Sequence, residues 1–576
     1  MRATVKTLTN KALDCISCAP AALVALALTC YLPFMHKPVH IDGTMMVHTS
    51  RQMLVDVWNP PLGEFGKHLV LHDRTRMPEQ SVFFRTGHPP LVPLLMAPAT
   101  ALARDGEWPF HAFMLGFYLA LVLGGWHLFG LFYAGNNRIA GALLLTTCPA
   151  IVVNSHNIMW DIPITALMTW TFVLFIRALR TRRPGLYFAS GVMTGIAALS
   201  KSNAIALYVL FGLYLVWRRR GKALILWGVP AVVLPGLWVI HNVFVFGEIQ
   251  YLSVGWFSFL PGDIRYRFER TISYLGGCVL VPPFLYWALL RTRKAFLGFV
   301  PVLVLAAAWG GLLVGVLARP LWFGVTYAML ASIGLLFLYM LVRTDQHRIA
   351  CYRSRDERIL VAGFAVLYLL VLMIHPSSQV RYALPLYPFL VIVVVDAASQ
   401  LAGQQKRWFW PLCLCAGTGF SLLLSVGDYL LCDGARRLPG KLDEKGYAPR
   451  HTWYYGRLAF GYYLYRAGFR NILTDPGVPE PGDYAVDEYL PRDYPVREIL
   501  PRRFSLEEID TIAFYQWALR TKGRYAGFYG NSRIPYALDW ASPVRAVKVY
   551  RLKSAGPLPS APADADPAAA ETGVRP

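Results

Sequence analysis

The chain has 576 residues and a formal net charge of +22, from 56 Lys and Arg against 34 Asp and Glu. Hydrophobic residues make up 55% and charged residues only 16%, against about 25% charge in an ordinary soluble domain; this excludes a mostly disordered chain and argues against one soluble domain. Basicity of this size often marks nucleic-acid binding, but here the cations punctuate long apolar runs, as in a polytopic membrane protein.

A basic start, Met1 to Lys11, leads into an apolar run at 18–35. No small-residue cleavage site follows, so the run reads as an uncleaved first span. Further runs long enough to cross a bilayer lie at 110–133, 139–155, 162–179, 185–199, 202–217, 223–244, 272–290, 296–317, 322–342, 359–375, 383–400 and 409–431, giving about thirteen spans. The first outer loop, 36–109, holds a weaker apolar piece from His88 to Ala103. Pro89, Pro90, Pro93 and Pro98 interrupt it, which predicts an interfacial helix rather than a span.

Loop charges set the topology. With the N-terminus cytoplasmic, alternate loops should be basic. They are, at Arg138, at Arg177 to Arg183, at Arg218 to Lys222, at Arg291 to Lys294, at 343–358 and at Lys406 and Arg407. The alternation holds only if 185–217 is two spans around Lys201. An odd span count then puts the C-terminus outside. Gly191 and Gly195 form a small-x-x-x-small pair, a sign of close helix packing. Trp108, Trp160, Trp256 and Trp322 fall near outer span ends, where an aromatic belt accounts for them.

The second outer segment is 245–271. The third, 433–553, reads as a soluble domain, with a helical signal at Leu458 to Ala467 and a strand-like one at Val544 to Leu552. Ser505-Leu506-Glu507-Glu508 fits a capping box opening a helix. The Ala/Pro-rich tail, 554–576, reads as disordered. The fold class expected is thus a polytopic α-helical membrane domain, 1–432, followed by a small α/β domain on the outer, periplasmic side.

The nine cysteines are scattered, and Cys15 and Cys18 have no second ligand pair, so no zinc site is expected. Two carboxylates stand at span ends on the predicted outer face. Asp42 lies in His40-Ile41-Asp42-Gly43, and Asp161 closes the short loop from Ser155. Such a carboxylate can act as a general base or coordinate a cation. The bland alternatives are a solvated span end or cap for Asp42 and an N-cap for Asp161. Arg85, Lys201, Arg265, Arg267, Arg270 and Arg381 gather on the same face against the positive-inside tendency. A phosphate at membrane level would explain them, as Arg offers a bidentate fork and Lys a point charge. Lipid headgroups or local ion pairs are the alternative. Lys201 and Arg381 stand out because each lies in a tight turn between spans.

In order, His40-Ile41-Asp42, Thr86-Gly87-His88-Pro89-Pro90-Leu91, Asp161-Ile162-Pro163, Gly191 through Lys201 and Arg381-Tyr382-Ala383-Leu384-Pro385-Leu386-Tyr387-Pro388 resemble the C-type glycosyltransferase superfamily, in its protein O-mannosyltransferase and aminoarabinose transferase branch. The stretches Gly456 to Leu464 and Pro481 to Val486 are similar to a C-terminal module of some bacterial members. The resemblance implies a polyprenyl-phosphate sugar donor and transfer on the outer face to a lipid, glycan or protein acceptor. It implies Asp42 as the principal catalytic base in an inverting displacement, with Asp161 as the second catalytic carboxylate, supporting the acceptor or a cation. Lys201, Arg85, His88, Arg270 and Arg381 would hold the donor phosphate, and His40, Tyr382 and His156 would line the substrate pocket. The aminoarabinose transferases carry Lys-Pro-Pro where this chain has His88-Pro89-Pro90; a Lys is charged near neutral pH, whereas a His need not be.

No cofactor is required by these motifs, no ligand spacing among His36, His40 and His111 supports a metal site, and a divalent cation beside the carboxylates stays open. The partners expected are the lipid-linked donor, an acceptor and membrane lipids, with no nucleic acid. A transporter or flippase for a lipid-linked sugar is the rival reading. Transporters often show repeated halves and broken midplane helices; here no repeat is found, and the candidate residues sit at span ends rather than mid-span.

Overall fold

The computed structural model describes residues 19–63, 66, 88–103, 106–253, 261–278, 304, 307–312, 314–315, 320–342, 354–374, 379–399, 403–455, 458–472, 475, 477–488, 504–522, 526–529, 532–540 and 542–554. Two parts are built from them, an array of apolar helices and a small mixed sheet.

The array begins with α1 (Ala19–Phe34), α2 (Gly43–Met53), α3 (Leu91–Leu102) and α4 (Trp108–Phe132). The interfacial segment predicted at His88 to Ala103 is α3, and it starts one residue after Pro90. The run predicted at 139–155 is two helices, α5 (Gly135–Thr146) and α6 (Pro149–Ser155), bent by 51°. The break falls at Cys148-Pro149, where the residue before a proline is pushed into extended backbone and Cys148 has ψ 122°.

The hairpin of α7 (Asp161–Thr181) and α8 (Pro184–Ser200) turns on Arg182, which is left-handed at φ 54°. Beyond α9 (Ile205–Trp217), α10 (Gly221–Phe246) packs against α8. A Cβ at Gly191 would stand 2.1 Å from the Trp227 carbonyl oxygen. The small-residue pair therefore does set the close packing predicted for it.

Further on lie α11 (Gln250–Ser253), α12 (Pro261–Cys278), α13 (Leu321–Val342), α14 (Arg355–Ile374), α15 (Tyr387–Ser399) and α16 (Gly403–Glu444). α12 begins well inside the stretch read as an outer loop at 245–271, and carries Arg265, Arg267, Glu269 and Arg270 in its first turns.

Among the described residues, six helices are long and apolar enough to cross a membrane, or seven if the bent pair counts as one span. This is the composition of an integral membrane protein. The thirteen spans of the sequence reading are not all met. α1, α8, α9 and α15 are shorter than a full span, and the runs at 272–290 and 296–317 lie partly outside the described residues.

α16 has 42 residues, about 63 Å at 1.5 Å per residue, roughly twice a hydrocarbon core of about 30 Å. After a basic start at Lys406 and Arg407 its apolar stretch gives way to a charged end, and the helix carries straight through the domain boundary predicted at 432/433. The sheet follows, in the order β2 (Arg470–Asn471), β1 (Thr452–Tyr455), β3 (Tyr484–Glu488), β7 (Arg545–Ser554), β4 (Phe504–Phe514). β1 is parallel to β2 and β3, and β7 is antiparallel to both its neighbours. α17 (Leu458–Arg466) crosses from β1 to β2. Leu438 and Leu442 of α16 join Phe460, Leu464, Val486, Val547 and Val549 in one buried core, so the long helix is part of this unit.

The helix predicted at Leu458 and the strand at Val544 are both present. The capping box at Ser505 is not a helix start, because Ser505 to Glu508 pair with β7 within β4. Long-range strand pairing with Lys553, Leu552 and Arg551 outweighs a local signal worth about 1 kcal/mol. A second, two-stranded ladder joins β5 (Leu519–Arg520) to β6 (Ala537–Leu538).

Candidate functional site

The loop leaving α1 ends at Asp42, just before α2. Its carboxylate pairs with the Arg381 guanidinium, which comes from the 3-10 turn Val380–Leu386 ahead of α15. The Arg381 side chain is 7% exposed and that of Asp42 20%, so the carboxylate keeps an open side. Arg381 also donates to Met159 Sδ at 3.3 Å and to the Tyr382 hydroxyl at 3.1 Å. Its Nε is buried and has no acceptor among the described residues. Burial opposes the guanidinium charge, but Asp42 more than offsets this and holds Arg381 above its ordinary pKa.

Asp161 opens α7 and Lys201 follows the last residue of α8, so the hairpin brings the two together. Lys201 Nζ donates to Asp161 Oδ1 at 2.5 Å, with both side chains buried. The Tyr382 ring lies between the two cations, 4.4 Å from Lys201 Nζ and 4.9 Å from Arg381 Cζ. Four residues singled out by topology alone thus share one neighbourhood around Tyr382. Neither carboxylate acts as a helix cap: Asp42 makes no side-chain cap hydrogen bond, and the cap position of α7 is Trp160.

His88 stacks near Trp160, 4.2 Å between rings, and its carbonyl accepts a hydrogen bond from Gln250 Nε2. Arg270 is buried on α12 with its guanidinium 4.3 Å from the Tyr266 ring, and α12 packs on the turn that bears Arg381. His156 is buried between Phe34 and Tyr31, its Nε2 3.1 Å from the Cys30 carbonyl; it packs α1 against the Asp161 loop. His40 is buried with Nε2 3.4 Å from Asp428 Oδ1, and burial holds its pKa well below the ordinary histidine value. Arg85 lies outside the described residues.

A second ionic cluster was not foreseen. Lys37, in the α1–α2 loop, pairs with Asp428 of α16, and both side chains are sealed from solvent. Lys37 Nζ also donates to Asn157 Oδ1 at 2.5 Å. Asp428 further accepts from Thr521 Oγ1 at 2.9 Å and from the Tyr529 hydroxyl at 3.3 Å. The sequence did carry a signal, since a lone carboxylate inside an apolar run is a functional candidate by default.

A cavity of about 430 Å³ opens beside this cluster, lined by His36, Glu107, Arg436, Tyr463 and Arg466 among others. There the Glu107 carboxyl is pushed up by burial, which outweighs the Tyr463 hydrogen bond and the Arg436 charge. Among the described residues, no group of three or more ligating side chains is gathered as a metal site.

Residues 87–243 match the family model described as dolichyl-phosphate-mannose-protein mannosyltransferase. The resemblance of the sequence to membrane glycosyltransferases of the C-type therefore holds over this stretch, which runs from His88 through Asp161 and Lys201. Curated proteins gave no match. Among solved structures, the chain is similar to ArnT from Cupriavidus metallidurans bound to undecaprenyl phosphate, at 14% identity over 92% of this chain and 97% of that one, with a TM-score of 0.45. It is also similar to the Archaeoglobus fulgidus oligosaccharyltransferase in complex with zinc and sulfate, at 12% identity over 82% of this chain and 68% of that one, with a TM-score of 0.46. Likenesses this distant assign no role to any residue here.

Proposed function

We propose that the chain is an integral-membrane glycosyltransferase that moves a sugar from a polyprenyl-phosphate donor to a nucleophilic acceptor at the outer face of the inner membrane. The N-terminus is then cytoplasmic and the sheet periplasmic. The observation that carries the reading is the meeting of Asp42 with Arg381 and of Asp161 with Lys201 around Tyr382. The match of residues 87–243 to a family named for a lipid-phosphate sugar donor supports it.

A polyprenyl phosphate is a competent leaving group without protonation, so the site needs positive charge rather than a general acid. Arg381 offers Nε, buried and without an acceptor, to a phosphate oxygen while its Nη1 faces Asp42. Lys201 adds a second charge. The acceptor oxygen or nitrogen attacks the anomeric carbon, the bond from that carbon to the phosphate oxygen breaks, and Asp42 takes the acceptor proton. One displacement inverts the anomeric centre. Asp161 orients Lys201.

The test uses full-length protein in membranes with radiolabelled polyprenyl-phosphate mannose, and other labelled polyprenyl-phosphate sugars in parallel. Transfer converts the acid-labile glycosyl phosphate into an acid-stable glycosidic linkage. The expected result is conversion by the wild type and none above background by Asp42→Asn. Undiminished conversion by a normally expressed Asp42→Asn protein would remove Asp42 as the base. Label that crosses the membrane with its linkage unaltered would point to transport instead.

A further inference from the structure

The loop that presents Asp42 is held from several sides. Lys37 is bound by Asp428 and Asn157, and its carbonyl meets His111 Nε2 at 2.6 Å. The Val39 N–H donates to the Tyr463 hydroxyl at 2.8 Å. His40 faces Asp428 and lies 4.3 Å, ring to ring, from Tyr529. One residue later the backbone is strained, since Ile41 has φ 27°. A β-branched residue with positive φ is an outlier that persists only where its surroundings over-determine it. On the far side of Asp42, Gly43 is pressed against the loop that ends in Asp161. A Cβ there would stand 2.9 Å from the Ile158 carbonyl oxygen.

The common member of these restraints is Asp428. It gathers Lys37 and His40 from the Asp42 loop, Asn157 from the Asp161 loop, and Thr521 and Tyr529 from the C-terminal part of the chain. It lies about 27 Å along α16 from Trp410 at 1.5 Å per residue, close to a full hydrocarbon thickness. It therefore falls near the outer end of the apolar run 409–431, ahead of Leu438 and Leu442, which pack on the sheet. Lys37 and His40 lie on the loop that carries Asp42, Asn157 lies on the loop that ends in Asp161, and Tyr529 packs against His40.

We infer that Asp428 is a positioning residue: it clamps the 37–43 loop to the Asp161 loop and to Thr521 and Tyr529 of the C-terminal part of the chain, and so holds Asp42 in its strained approach to Arg381. The inference rests on Asp42 being the base. It makes Thr521 and Tyr529 part of the machinery without touching substrate.

The test compares full-length wild type, Asp428→Asn and the paired Thr521→Val, Tyr529→Phe protein in two assays. The first is hydrogen exchange of the peptide spanning 37–46, with no substrate added. The second is transfer of label from polyprenyl-phosphate mannose, or from whichever labelled polyprenyl-phosphate sugar the wild type turns over, split into kcat and KM. Misplacing a reactive group by about 1 Å can cost about 100-fold in rate. Asp428→Asn is accordingly expected to lower kcat by about 10- to 100-fold with KM within about twofold, and to raise exchange at 39–43 while α7 is unchanged. The paired variant, which keeps the Lys37–Asp428 charges, should shift both readouts in the same direction by a smaller factor, and decides the matter if Asp428→Asn does not fold. Unchanged exchange at 39–43 with unchanged kcat overturns the inference and leaves Asp42 as the base. Faster exchange together with an active Asp42→Asn protein removes the base but keeps the clamp.

Discussion

The two buried ionic clusters differ in how completely they are satisfied. Around Asp428 the carboxylate is sealed and meets Lys37, Asn157, Thr521 and Tyr529. Around Asp42 the carboxylate stays 20% exposed, and its partner Arg381 keeps a buried Nε without an acceptor. A carboxylate with this many donors fixes geometry, because each donor loses by moving; beside it, His40 keeps both ring nitrogens buried without a hydrogen-bond partner among the described residues. An unsaturated pair has capacity left for a ligand, and a buried unpaired donor asks for an explanation. The first cluster is built to hold and the second to bind.

The sharpest way to break that contrast is to remove charge from each cluster and ask what is lost. Asp42→Asn should cost about 100- to 10,000-fold in turnover, the range for a general base. Its cost in stability should be smaller than that of Lys37→Met, because Asp42 is 20% exposed and the Asn oxygen can still accept from Arg381. Lys37→Met should do the reverse. It leaves Asp428 buried and unpaired, which costs about 3–5 kcal/mol in folding stability, read as a lowered unfolding midpoint in detergent. If Lys37→Met unfolds like the wild type, the sealed cluster is not a structural node.

Arg381→Lys sharpens the open cluster itself. A lysine keeps the charge but cannot face Asp42 and a phosphate oxygen at once. Turnover should fall about 100-fold, comparable with the loss of one donor to a developing oxyanion, while expression and unfolding remain close to wild type. Equal activity in Arg381→Lys would mean that the Nε orphan has no part in binding.

The same contrast explains what could be read from sequence. Lys201 and Arg381 were visible because each puts a cation on the face that should be poor in them, and Asp42 and Asp161 because each is a lone carboxylate at a span end. Their pairing was not visible, because Arg381 reaches Asp42 only when the turn Val380–Leu386 packs beside Met159. Asp428 carried a different signal, that of a lone carboxylate within an apolar run. It falls inside the apolar run 409–431, and a saturated charge leaves no mark on loop topology. Ser505 shows the limit of local signals, as its capping pattern is overridden by pairing with Lys553. The helix packing at Gly191 was legible because a missing side chain has one main use in a membrane helix.

Outside both clusters, effects should be smaller and confined to stability. Gly191→Ala places a Cβ 2.1 Å from the Trp227 carbonyl oxygen, which forces α8 and α10 apart. The expected cost is about 1–3 kcal/mol, with turnover per folded molecule kept within about twofold of wild type. A large loss of turnover in this variant would mean that the α8–α10 contact tunes Lys201, at the end of α8, and would draw the open cluster into the packing it has been contrasted with.

The weakest tie joins the end of α16 to β4. Lys445 Nζ donates to Asp510 Oδ2 at 2.6 Å on a largely solvated surface. The Lys445 hydrogen bond lowers the Asp510 pKa from its ordinary value, against some desolvation. A carboxylate whose folded pKa lies below its unfolded one adds stability above the unfolded value, and that stability is lost as pH falls through the folded value. Lys445→Met should therefore cost less than about 1 kcal/mol near neutral pH, and nothing well below the ordinary aspartate pKa of about 3.9. Unfolding midpoints of the two proteins at neutral and strongly acid pH measure this. A difference that persists in acid would assign the effect to the aliphatic stem of Lys445 rather than to its charge. In that case Lys445 adds to the junction between α16 and the sheet by packing, continuous with the core formed by Leu438 and Leu442, while the hydrogen bond from the Tyr515 hydroxyl to Asp433 remains.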